Sequence, residues 1–135
     1  MNKIKDIRRL TRLARKLWAS LVKLEWGGVC ASCGSRKYLN AHHIESYKMN
    51  KALRFDPKNS VLLCAKCHKF GYPAAHTSWI MLYDLLYGTE RIHYLREHYN
   101  KDKQPEITVQ YLESVIKNLK ERIQHVEENS KNHSN

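Results

Sequence analysis

Acidic side chains are scarce in this chain: 13 Asp and Glu stand against 24 Lys and Arg in 135 residues, a formal net charge of +11. Proline and glycine are few, at 3 and 5, which excludes a collagen-like or low-complexity chain. No run approaches the roughly eighteen uncharged apolar residues of a membrane span; the longest, Trp79 to Tyr87, is broken by Asp84. Met1 to Arg9 opens with charge but leads into no apolar h-region, so no secretory leader is expected and the cytoplasm is the expected location. In that reducing setting paired cysteines point to metal in preference to disulfides.

What is present is an ordinary globular balance, 42% hydrophobic and 27% charged, in a length suited to one domain. The surplus of positive charge favours a polyanionic partner, without separating DNA, RNA and a membrane surface. Asn2 to Trp26 reads as one helix, because Ile4, Ile7, Leu10, Ala14, Leu17, Trp18 and Leu21 recur at spacings of three and four. Arg8, Arg9, Arg12, Arg15, Lys16 and Lys23 fall largely off that stripe. They form either a solvated face or a set of phosphate contacts. Gly27-Gly28 is the expected stop.

Short strands are expected over Tyr38 to Ile44 and Val61 to Leu63, joined by a long polar connection, with a helix starting near Ala65. Further helices are expected over Ser78 to Tyr87, over Glu90 to Tyr99 with Thr89 as cap, and over Thr108 to Val126. In the last of these, Val109, Leu112, Ile116, Leu119, Ile123 and Val126 form a seam suited to packing on the N-terminal helix or to pairing with a second copy. The organisation is thus a single domain over residues 1–127: a basic helix at 1–26, a metal-bound core at 30–70 and C-terminal helices at 77–127. A polar, flexible tail is expected over 128–135.

Cys30-x-x-Cys33 and Cys64-x-x-Cys67 are separated by thirty residues. Two intervening residues let one turn present both sulfurs to one ion, and zinc takes four thiolates tetrahedrally. With four protein ligands that zinc would be structural, and it would support a small core. Cys64-Ala65-Lys66-Cys67-His68 also fits covalent haem attachment, but that reading needs export and leaves Cys30 and Cys33 without a purpose. His42, His43 and His68 stand beside the cysteines. Adjacent strand residues point to opposite faces, so His42 and His43 are expected to do different jobs.

Cys30-x-x-Cys33, Ala41-His42-His43-Ile44, Asn59-Ser60-Val61-Leu62-Leu63-Cys64 and Cys67-His68 together resemble the HNH endonucleases. Leu53-Arg54-Phe55-Asp56 and Leu86-Tyr87-Gly88-Thr89-Glu90-Arg91 are also similar to the NinG recombination proteins of lambdoid phages. The resemblance implies an α+β, mostly α fold: a zinc-stapled ββα-metal core flanked by long helices. It implies that His42 and His68 hold a catalytic divalent ion, Mg²⁺ or Mn²⁺, with Ni²⁺ or Zn²⁺ as alternatives. His43 would then be the general base and Asn59 would brace the loop that carries it. His76 is a candidate third ligand, with a surface or helix-capping role as the favoured account.

The implied activity is hydrolysis of DNA, double-stranded, to 5′-phosphate and 3′-hydroxyl ends by a monomer or homodimer, in a phage or mobile-element setting. Arg8, Arg9, Arg12, Arg15, Lys16, Arg54, Lys66 and Lys69 are the candidate DNA contacts. The rival is a zinc-dependent nucleic-acid-binding module without chemistry, which gives the three histidines no joint purpose.

Overall fold

In the computed structural model the described residues are 2–44, 51–68, 89–98 and 104–132. Helix α1 spans Lys3–Glu25, strand β1 Leu39–His42 and strand β2 Val61–Cys64; helix α2 spans Thr89–Glu97 and helix α3 Val109–Asn132. Among these residues the molecule is mainly helical, with one two-stranded antiparallel sheet. The expected helix over Ser78 to Tyr87 lies outside the described residues.

The start of α1 follows from Asn2, whose side-chain oxygen accepts from the backbone N–H groups of Ile4 and Lys5, satisfying donors a helix leaves open at its first turn. Its end follows from Gly27 and Gly28, at φ of 72° and 68°, where glycine carries no Cβ penalty. Leu10, Ala14, Trp18, Leu21 and Val22 are buried, so the apolar stripe does face the core. Ile4 at the first turn is the exception, 64% exposed.

The strands pair in the register Leu39 with Cys64 through His42 with Val61. All four β2 residues are buried, and α1 packs on the sheet. The sheet, α1 and α3 share one core, in which Leu112, Ile116 and Leu119 of α3 meet the α1 stripe. Leu112, Ile116 and Leu119 of the α3 seam are therefore spent within the chain, with Val109, Ile123 and Val126 partly buried beside them. Arg122 clasps Glu25 at 2.6 Å beyond the apolar contacts.

Two boundaries differ from expectation. Helix α3 continues to Asn132, through residues read from sequence as tail. Its extra turns carry no apolar stripe and are held by pairs one turn apart, Gln124 with Glu128 and His125 with Asn129, contacts a hydrophobicity pattern does not reveal. Helix α2 includes Thr89 and ends at Glu97, short of Tyr99.

Candidate metal and active site

The sulfur cluster is built by two short turns. After Cys30 the chain folds so that Gly34 N–H donates to the Cys30 carbonyl at 2.9 Å, while Ala31 N–H donates to Leu62 O, also at 2.9 Å. Gly34, at φ 75°, takes the left-handed conformation that this knuckle requires. The second pair straddles the end of β2 and the helical turn that starts at Ala65, and Cys67 N–H donates to Cys64 Sγ. The sulfurs of Cys30, Cys33, Cys64 and Cys67 all lie within 4.8 Å of one another, with Cys33 and Cys64 at 3.7 Å. Tetrahedral zinc with bonds of about 2.3 Å separates its sulfurs by about 3.8 Å, so the donor set fits that ion.

Thiol chemistry agrees. Burial would raise the Cys30 pKa, but backbone hydrogen bonds from Cys64, Cys33 and Ser32 outweigh it and bring the thiol down to about 6. Cys67 is instead pushed up to about 12, by burial and then by the neighbouring cysteine sulfurs. Among crowded sulfurs the first proton leaves readily and the last leaves only against accumulated negative charge. A divalent cation removes that obstacle. The four cysteines are thus placed to bind one metal ion, consistent with structural zinc, and the haem-attachment alternative loses its two thiols to this cluster.

At the other end of the hairpin the three histidines separate. His42 stacks on His68, with ring centroids 3.8 Å apart and planes 16° apart. His43 stacks on Trp18 of α1, with centroids 4.1 Å apart and planes 5° apart. Burial, then the charges of His68 and His43, lower the His42 pKa to about 4, so its imidazole is neutral and able to ligate at neutral pH. Two facing rings do not aim their in-plane lone pairs at one point. For both to hold one ion, a ring must swing off the stack, and the exposed His68 is the one with room. Among the described residues, the cysteines are the only cluster of three or more ligating groups; the histidine pair offers two.

His43 Nε2 is 2.7 Å from the carbonyl oxygen of Arg54. A carbonyl only accepts, so Nε2 bears the proton and Nδ1 carries the lone pair of the neutral ring. Burial lowers the His43 pKa; the hydrogen bond to Arg54 opposes this, while the charges of Arg54 and Arg15 add to it. Asn59 is fully buried at 0% exposure and donates through Nδ2 to Leu53 O at 3.1 Å. The side chain therefore ties together the segment that supplies the Arg54 carbonyl.

That segment is anchored by elements far away in sequence. Trp18 Nε1 donates to Asp56 O at 2.9 Å and Trp26 Nε1 to Ser60 Oγ at 3.3 Å. Tyr94 of α2 donates its hydroxyl to Asp56 Oδ2; burial and that bond push its pKa up to about 12, so it stays a donor at neutral pH. Gln104 Oε1 accepts from the N–H groups of Lys51 and Ala52. Sequence reasoning counted Trp18 only as part of a stripe. The available signal was that a buried indole N–H needs an acceptor.

Arg15 and Arg54 line a small cavity together with Trp18 and His43, which sets two cations beside the imidazole. Arg8, Arg9, Arg12 and Lys16 are exposed along α1, and Lys66 is exposed beyond β2. Arg9 leans towards Asp6 at 3.9 Å. Lys69 and His76 lie outside the described residues. No described helix is long and apolar enough to cross a membrane.

Residues 30–70 match the family model of the HNH endonucleases. The match indicates a nuclease domain with metal binding and supports a nucleic-acid partner, and it takes in the cysteines, His42, His43, Asn59 and His68 but none of α1, α2 or α3. No curated protein and no solved structure matches the chain significantly.

Proposed function

We propose that the chain is a metal-dependent endonuclease that hydrolyses phosphodiester bonds of double-stranded DNA, with His43 as the general base. The observation that carries this reading is the tautomer: the Arg54 carbonyl holds the proton on Nε2, which makes Nδ1 the nitrogen able to take a proton from an attacking water. Asn59 fixes the segment that offers this carbonyl. Arg15 and Arg54, beside the ring, suit the negative charge of a bound phosphate.

His42 and His68 would hold a divalent ion, Mg²⁺ or Mn²⁺, after the ring movement described above. Bound there, the ion would supply charge stabilisation for the phosphoryl and leaving oxygens, in a site with two protein ligands that leaves room for substrate. The exposed cations of α1 would extend the contact along the phosphate backbone, in a sequence-independent way. A binding module without chemistry shares the charge and the cysteines but has no use for a neutral, tautomer-fixed histidine.

Supercoiled plasmid incubated with the zinc-loaded protein and added Mg²⁺ or Mn²⁺ is expected to be nicked, and EDTA to stop the reaction. His43→Ala should keep its zinc and its melting transition while losing about 10²–10⁴ in rate, the usual weight of general-base catalysis. Undiminished cutting by that variant would refute the assignment.

A further inference from the structure

His43 belongs to the family-matched segment; the side chain that fixes its ring does not. Trp18 lies on α1, is 2% exposed, and makes two contacts that converge on the same imidazole. Its indole lies flat on the His43 ring, with the planes 5° apart. Its Nε1–H reaches Asp56 O at 2.9 Å, two residues beyond the carbonyl that accepts from His43 Nε2 at 2.7 Å. One residue thus touches both the face of the ring and the turn that carries the acceptor of its proton. Packing alone requires neither a coplanar stack nor an N–H bond placed on this particular turn.

We infer that Trp18 is a positioning residue for His43, through which the flanking helix α1 orients the hydrolytic base. The inference rests on the reading of His43 as general base, and it concerns a residue that acts through the imidazole without touching the phosphate. Holding a reacting group in line is worth a great deal: a misplacement of about 1 Å can cost roughly a hundredfold in rate.

The test uses the full zinc-loaded chain. Trp18→Leu removes both the stack and the donor; Trp18→Phe keeps an aromatic face and loses only the donor. Two readouts are followed beside zinc content and melting temperature: kcat and KM for plasmid nicking, and the His43 tautomer from its ring ¹⁵N shifts. The wild type should show the proton on Nε2. In Trp18→Leu the tautomers should mix and kcat should drop about a hundredfold with KM within about twofold. Trp18→Phe should fall in between, near tenfold, and it decides the matter by itself if the leucine variant does not fold.

A residue needed only for packing would lower the melting temperature and leave the tautomer and kcat of the folded protein as they were; that result overturns the inference. So does a loss confined to KM. If the wild type cuts no DNA, the nuclease reading fails, and the tautomer comparison still decides whether Trp18 orients His43.

Discussion

His43 donates a hydrogen bond from Nε2 to the carbonyl oxygen of Arg54, eleven residues further along the chain, at 2.7 Å. A side chain at the end of β1 is in this way bound to the backbone of the connection leading into β2. Turning the ring over would break this bond, so its chemistry and the shape of segment 53–59 are one problem.

The pH profile of cleavage should reflect the surroundings of that ring. A general base works in its neutral form, and burial lowers the His43 pKa from the ordinary 6.5. The acidic limb of kcat/KM should therefore have its midpoint below 6.5, with a plateau through neutral pH. Nicking rates measured in matched ionic strength buffers give the curve, and a midpoint above 6.5 would contradict the burial argument.

Asn59→Ala should weaken both fold and activity. The substitution deletes the donor to Leu53 O in a position with no exposure, leaving that carbonyl with only the longer bond from Asp56 N–H, at 3.3 Å. A cost of about 0.5–1.5 kcal/mol, the net worth of one hydrogen bond, is expected, read from urea denaturation of the zinc-loaded protein. A fall in nicking rate should accompany it, because the Arg54 carbonyl moves with the loop.

Elemental analysis after exhaustive dialysis should find one zinc per chain. Cys33→Ser should lower that occupancy and broaden the melting transition, since an exposed knuckle residue is replaced by a hard oxygen donor that suits zinc less well than thiolate. Removing the metal with a strong chelator should abolish the hairpin signal in circular dichroism, because apparent binding energies of structural zinc, about 10–16 kcal/mol, are comparable to a domain's whole stability.

Leu112→Ala should cost about 2–5 kcal/mol. Leu112 has no exposure and sits in the core shared by α1 and α3. Sedimentation velocity should show no change in the assembly state of the folded variant, as the Leu112 side chain is spent in the core of its own chain.

Much of this was legible in the residues themselves. The stripe of α1, the glycines that end it and the two cysteine pairs each carry a local physical signature, and each is where that signature puts it. The extra length of α3 was not legible, because Gln124, His125, Glu128 and Asn129 hold it by polar contacts that leave no apolar period. Nor was the web around Asp56. Trp18, Asp56 and Tyr94 are ordinary stripe, loop and helix residues until the fold brings α1 and α2 to the same turn. The acceptor for His43 was the least readable feature of all. It is a backbone carbonyl, which any residue at position 54 would provide.

The pairing of Leu39 with Cys64 and of His42 with Val61 has a consequence for fidelity. A slip of the hairpin by one residue would turn every side chain to the opposite face, sending His42 towards Trp18 and His43 towards His68 and so exchanging their surroundings. A ladder of four pairs resists such a slip weakly by itself. Cys64, however, is both a rung of the ladder and a corner of the sulfur tetrahedron, so an ion seated there acts as a register lock for two imidazoles it never touches.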